Sequence, residues 1–188
     1  MAISVSIATQ TGTAVPERFW VFADKLDAVT QHNLQLTHQI SSGGIPLDDS
    51  GNFSKSPYSS KGALLDPLEV RGEELRAREF PQHVSRLVGM YAFGSYGDAL
   101  LAHQTHGWDL DELTEFVAVS PIVATRVNME FVSVIRGLHE IHQLTEQRHD
   151  DLWRAYWSGA SASASNLDPG PQARCIWEWI ILGHLWIE

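Results

Sequence analysis

The stretch Trp177-Glu178-Trp179-Ile180-Ile181-Leu182-Gly183-His184-Leu185-Trp186-Ile187-Glu188 constrains the fold more than any other part of the chain. Its aromatic and aliphatic side chains read as buried strand, with a strand pair meeting around Leu182-Gly183. One carboxylate, Glu178, interrupts the run. An ionised group is costly to bury unless it is paired, placed at a cleft or used in chemistry, so this glutamate demands an explanation. Strict alternation offers the plainest one. Trp177 and Trp179 then share one face of the strand, and Glu178 faces water from the other face of an edge strand. The alternative is a carboxylate turned into a cleft.

The remaining chain mixes strand and helix signals without regular alternation, which points to an α+β domain rather than a doubly wound sheet. Ile3 to Ile7 alternates apolar and polar residues, and Arg18-Phe19-Trp20-Val21-Phe22-Ala23 has the aromatic and branched content of a second strand. Asp24 is placed to cap a short helix over Lys25 to His32. Asp66-Pro67-Leu68-Glu69 starts a helix with a capping aspartate and proline at the first helical position, and Pro81 ends it near Glu79. Arg86 to Phe93 reads as a strand, although its apolar run also fits a buried helix, and Ser95 caps a helix over Tyr96 to His106 that Gly107 stops. Glu115 to Val119 is a further strand. A long helix starts near Asn128, carries Met129, Val132, Ile135 and Leu138 at helical spacing, breaks near His149-Asp150 and resumes through Trp153. Ser41 to Ser60 and Ser158 to Gln172 read as long irregular connections, the kind that often bind ligands or partners.

At 188 residues and 44% hydrophobic content the chain suits one sizeable core, hence a single domain over 1–188. Its net charge of -10, with no run of Lys and Arg, argues against general affinity for nucleic-acid phosphates. The start lacks a basic and apolar leader, and no stretch reaches membrane-spanning length, so a soluble cytoplasmic protein without a membrane partner is expected. A lone cysteine, Cys175, forms no internal disulfide and reads as a core thiol. His139 and His142, like His103 and His106, lie close on helices but match no zinc signature, and no metal is expected. Arg71, Arg76 and Arg78 among Glu69, Glu73, Glu74 and Glu79 suit intrahelical ion pairs, and that reading is kept for Arg71 and Arg78. Arg86 differs, because it opens an apolar strand where a fixed guanidinium meets a carboxylate or a phosphate. Tyr91 and Phe93, two apart on a strand, suit a core as well as a pocket wall.

Four segments in order, Phe19-Trp20-Val21-Phe22, Glu73-Glu74-Leu75-Arg76 leading into Glu79-Phe80-Pro81-Gln82-His83-Val84-Ser85-Arg86-Leu87, Met90-Tyr91-Ala92-Phe93-Gly94-Ser95-Tyr96-Gly97-Asp98-Ala99, and Tyr156-Trp157-Ser158-Gly159 with Trp177-Glu178-Trp179-Ile180, resemble an uncharacterised bacterial and phage group of the ADP-ribosyltransferase superfamily. The resemblance spans most of the chain from Arg18 onward. It implies a split two-sheet α+β fold with a central NAD cleft and peripheral helices. NAD is then the substrate, cleaved between nicotinamide and ribose, with ADP-ribose passed to a protein or nucleic-acid acceptor or to water. Such a protein is a toxin, effector or phage-encoded modifier, acting in the cytoplasm or, after delivery, in a host cell.

On that resemblance Glu178 is the catalytic carboxylate that stabilises a cationic ribose. Tyr91 and Phe93 or Tyr96 wall the nicotinamide pocket. Arg86 or Arg76 holds the diphosphate. The family pattern favours a histidine for the adenosine ribose where this chain has Val21; Arg18, three positions earlier, is the candidate substitute in a shifted register. The competing expectation is a non-catalytic, acidic interaction or inhibitor protein that uses the same fold, supported by Val21 and by a negative charge able to complement a basic partner.

Overall fold

The computed structural model describes residues 6–10, 12–26, 28–42, 66–161 and 175–188. Two long strands organise it, β5 (Leu113–Asn128) and β6 (Trp177–Trp186), antiparallel along most of their length. The other strands are β1 (Ser6–Ala8), β2 (Arg18–Phe22), β3 (Gln39–Ser41) and β4 (Met90–Phe93). The six-stranded sheet runs β1-β5-β2-β4-β6-β3 with the additional β5–β6 pairing. Only β1 pairs in parallel; the fold is mixed α+β. Because β2 pairs with both β5 and β4, and β6 also pairs with both, these strands close a ring. Phe19, Met90, Ala92, Phe116, Trp179 and Ile181 pack together inside it.

Five α-helices are described: α1 (Ala28–Thr37), α2 (Pro67–Glu79), α3 (Tyr96–His106), α4 (Glu130–Glu140) and α5 (Glu146–Trp157). Helices α2, α4 and α5 cover the outer face of the β4–β6–β5 region, where Leu75, Phe131, Ile135, Leu152, Trp153 and Trp157 form a core with Val127 and Ile180. Close approach of α2 and α5 depends on Gly72: a Cβ there would lie 2.5 Å from the Trp153 ring. The Trp157 indole donates to the Gly72 carbonyl at 3.0 Å, and Arg71 grips Asp150 of α5 through two hydrogen bonds of 2.7 and 2.8 Å. Arg71 thus joins two helices instead of serving mainly an intrahelical pair, whereas Arg78 bonds its neighbour Glu79 at 2.8 Å. Among the described residues no helix is long and apolar enough to cross a membrane.

Several boundaries differ from the sequence expectations, each for a local reason. The carboxy-terminal run is one strand, not a strand pair. Gly183, at φ 143°, sits across from the register shift between Val119 and Val123, and a Cβ there would lie 2.7 Å from Ile122. The glycine accommodates a bulge rather than a turn. Strand β4 begins at Met90, because Ser85 folds the preceding residues into a turn: its carbonyl accepts from Gly89 N at 2.9 Å and its hydroxyl from Leu87 N at 3.1 Å. Arg86 therefore lies before the strand.

Ala23–Lys25 forms a 3-10 turn, closed by the Gln31 amide donating to the carbonyls of Ala23 and Leu26, and the helix expected over Lys25 to His32 is displaced to Ala28–Thr37. The long helix breaks earlier than His149. His142 adopts φ 57°, and the Thr145 hydroxyl accepts from Arg148 N to cap α5. Helix α2 with its Asp66 cap, and α3 with Ser95 and Gly107 at its ends, match the sequence reading. The strand expected over Ile3 to Ile7 is described only as Ser6–Ala8, residues 1–5 lying outside the described residues. Most of the Ser41 to Ser60 and Ser158 to Gln172 segments also lies outside them.

Candidate functional site

Glu178 occupies the second position of β6, in register with Phe93 of β4 on one side and Val127 of β5 on the other. Alternation does turn it away from Trp179, but that face is covered by helices, so Glu178 is only 6% exposed. The water-facing edge-strand reading is overturned: β6 has neighbours on both sides, and α5 brings Tyr156 onto the carboxylate. Tyr156 donates to Glu178 Oε1 at 3.1 Å, and Arg86 Nη1 donates to the same oxygen at 3.1 Å.

Arg86, 5% exposed, is the hub of this network. Its Nε donates to Glu69 Oε2 at 2.9 Å, and Nη1 also donates to the Tyr156 hydroxyl. The guanidinium lies 4.9 Å from the Tyr91 ring centre and 5.1 Å from that of Tyr156, so the cation is held between two aromatic faces. The Tyr91 hydroxyl donates to the Arg86 carbonyl, which fixes the turn that carries the arginine. Glu69 is shared with Arg136 of α4, whose Nη2 donates to Oε1 at 3.1 Å.

The two carboxylates respond oppositely to this setting. Burial pushes the Glu178 carboxyl above the ordinary glutamate value, the nearby Glu69 charge adds to the push, and Arg86 and the Tyr156 hydroxyl oppose it. Glu69 is also desolvated, but two arginines together outweigh burial and hold its carboxyl below the ordinary value. Burial raises the Tyr156 phenol well above its usual range, so it remains a proton donor at neutral pH. The network thus favours the charged form at Glu69 more than at Glu178.

Glu178 and Arg86 open onto a cavity of about 360 Å³. One wall is built by Val21, Phe22, Lys25, Leu26, Thr30 and Ile40, from β2, the turn after it, α1 and β3. The facing groups are Met90, Tyr91 and Phe93 of β4 and Met129, Val132, Ser133 and Arg136 along α4, with His106 and Trp108 closing one side. The Trp108 indole meets Phe22 and Phe93 edge-on, with ring centres 5.1 and 6.1 Å apart, and makes an aromatic shelf. A cavity of this size with apolar walls and a few polar groups suits a small organic ligand.

Four sequence candidates, Glu178, Arg86, Tyr91 and Phe93, therefore line one cavity, and Val21 lines it as well. Three others lie elsewhere. Arg18 faces outward on β2 and is held by Glu115 at 3.2 Å and Glu188 at 2.7 Å; Tyr96 is half-exposed at the first turn of α3. Arg76 is taken by Glu73 at 2.8 Å and by the His83 carbonyl at 2.9 Å, away from the cavity. His103 contacts the Trp108 carbonyl and His106 contacts Glu130 at 2.8 Å; among the described residues no cluster of three metal-ligating groups occurs.

Sequence reasoning gave no place in the site to Tyr156, Arg136, Lys25 or Trp108, and set Glu69 among the ion pairs of its own helix, whereas it pairs with Arg86 and Arg136. Glu69 left a signal, since it shares helical phase with Gly72 and Leu75, the buried face of α2. Comparison with protein-family models and with curated proteins gives no match to this chain.

Proposed function

We propose that the chain is an ADP-ribosyltransferase that cleaves NAD at the nicotinamide–ribose bond and passes ADP-ribose to a macromolecular acceptor or to water. The observation that carries the reading is the meeting of Glu178 with Tyr91 and Phe93 at one cavity, beside an Arg86–Glu69 pair. On this reading the nicotinamide ring lies against the aromatic side chains and Glu178 lies under the ribose. The bond from ribose C1′ to the nicotinamide nitrogen breaks, and its electron pair leaves with nicotinamide. The ribose gains cationic character, which an ionised Glu178 stabilises. The acceptor's lone pair then forms the new bond at C1′ as the acceptor loses its proton.

Arg86 and Tyr156 are positioning residues in this scheme. Their hydrogen bonds fix Oε1, so Glu178 meets the developing charge without reorganising. The experiment is nicotinamide release from NAD by the purified chain, compared with Glu178→Gln. A loss of about 100-fold or more is expected for removing a preorganised electrostatic group. Absence of both NAD turnover and NAD binding in the unsubstituted chain refutes the reading.

A second reading, a binding protein without turnover, draws on a specific observation: Val21 lines the cavity where the resembled group favours a histidine, and both described hydrogen bonds to Glu178 fall on Oε1. It predicts that Glu178→Gln leaves partner capture intact while charge reversal on an acidic surface abolishes it in a salt-sensitive manner.

A further inference from the structure

We propose that the cavity carries an anion subsite, formed by Lys25 and Arg136, for a phosphate or diphosphate group on a ring-bearing ligand. This deepens the NAD reading and rests on it for the site, yet it moves the anion away from Arg86. Arg86 is buried, and its guanidinium is engaged by Glu69, Glu178 and Tyr156. A ligand phosphate there would displace a carboxylate from a desolvated pair and leave it buried without its cation.

Lys25 and Arg136 are placed differently. They line the same cavity from different elements, the turn after β2 and helix α4, with side chains 46% and 45% exposed. The Asp24 that Lys25 contacts is its exposed chain neighbour, a weak surface pair, and Glu69 keeps its two hydrogen bonds to Arg86 when Arg136 turns to an anion.

Charge is segregated at this cavity against the trend of the whole molecule. The chain carries 23 acidic and 13 basic residues, but the lining includes three cationic side chains, Lys25, Arg86 and Arg136, and one carboxylate, Glu178. The carboxylates paired with Lys25 and Arg136, Asp24 and Glu69, do not line the cavity, so its wall presents the cations to a ligand. The Lys25 ammonium also lies 5.8 Å from the centre of the Trp108 indole, which forms the aromatic shelf with Phe22 and Phe93. A cation beside an aromatic surface matches a ligand with a planar ring and a phosphate, the chemistry of a nucleotide.

The test is calorimetric titration of the whole chain with ADP, inorganic pyrophosphate and adenosine. ADP is expected to bind at least tenfold more tightly than adenosine, and its affinity to fall about tenfold or more in Lys25→Glu and in Arg136→Ala. Tighter binding of ADP than of pyrophosphate supports a ring-bearing ligand; equal binding of the two overturns that part of the proposal. Should Arg136→Ala loosen α4, Lys25→Glu at its exposed side chain still decides the matter. Unchanged ADP affinity in Lys25→Glu, or ADP no tighter than adenosine, overturns the inference. Nicotinamide release with Lys25-independent ADP binding leaves the catalytic reading standing alone. Lys25-dependent ADP binding with no NAD turnover leaves the subsite standing alone.

Discussion

Replacing Arg86 with methionine tests the account of the buried network. Methionine fills similar volume without a charge, so packing against Tyr91 and Tyr156 is largely kept. The lost interactions are the 3.1 Å bond to Glu178, the 2.9 Å bond to Glu69 and the bond to the Tyr156 hydroxyl. Glu69 keeps Arg136, but Glu178 loses the cation that opposes its desolvation. Breaking one side of a buried ion pair costs about 3–5 kcal/mol. That is a large share of the roughly 5–15 kcal/mol that holds a domain together, and it corresponds to a fall in Tm of roughly 10 °C at this chain length.

Urea unfolding followed by tryptophan fluorescence gives the measurement, with circular dichroism as the check on two-state behaviour. Two further outcomes belong to the same reasoning. The double variant Arg86→Met, Glu178→Leu should recover at least half of the loss, because no unpaired charge remains on β6. The deficit of Arg86→Met should also shrink at acid pH, since protonation of Glu178 and Glu69 removes the charges that the arginine neutralises. A variant within about 1 kcal/mol of the parent at pH 7, or a double variant worse than Arg86→Met, refutes the argument.

Because the Glu178 carboxyl is raised by burial and only its ionised form stabilises a cation, nicotinamide release should rise with pH through a midpoint above the ordinary glutamate value of 4.5; a midpoint at or below that value contradicts the assignment. The sign for stability is opposite: folded Glu178 holds its proton more tightly than the unfolded chain does, so its contribution falls as pH rises from the ordinary value through the raised one. Glu178→Gln should therefore lose less stability with rising pH than the parent, which urea unfolding at pH 5 and pH 8 checks. Gly72→Ala gains about 1 kcal/mol of helix propensity, but its Cβ would meet the Trp153 ring at 2.5 Å; overpacking should win, with a net loss of about 1–2 kcal/mol in thermal unfolding and an altered near-UV tryptophan signal. A raised Tm with the signal unchanged shows that α2 and α5 do not meet as described.

The parts of this structure legible in the sequence are those governed by nearest neighbours. Asp66 with Pro67, and Ser95 with Gly107, act within a turn of the residues they cap, and α2 and α3 follow. Tertiary context decided the rest. Periodicity correctly put Glu178 on the face opposite Trp179, yet whether that face met water depended on α5, which delivers Tyr156 from 22 positions earlier in the chain. Arg86 was recognised as unlike the helical arginines. Its partner Glu69 lies 17 positions away on the buried side of α2, a distance no periodicity spans. Gly183 read as a turn because a glycine after an apolar run has two uses, and only the neighbouring Ile122 selects the bulge. Arg18 and Tyr96 illustrate the converse: residue types suited to a ligand site are placed by their strand and helix on the outer surface.

The ring of strand pairings gives the charge on β6 one more consequence, for how the chain chooses its alignment. In a strand, a slip of one residue exchanges the two faces. Along β6 that exchange would swing Glu178 inward among Phe19, Met90 and Phe116, where no cation is described, and would turn neighbouring apolar groups toward Arg86 and Tyr156. Hydrophobic side chains on both faces would tolerate such a shift far better than a carboxylate does. The Glu178–Arg86 pair then acts as a locating pin: it adds little over an apolar pair of the same volume, but it disfavours the neighbouring registers of the central strand.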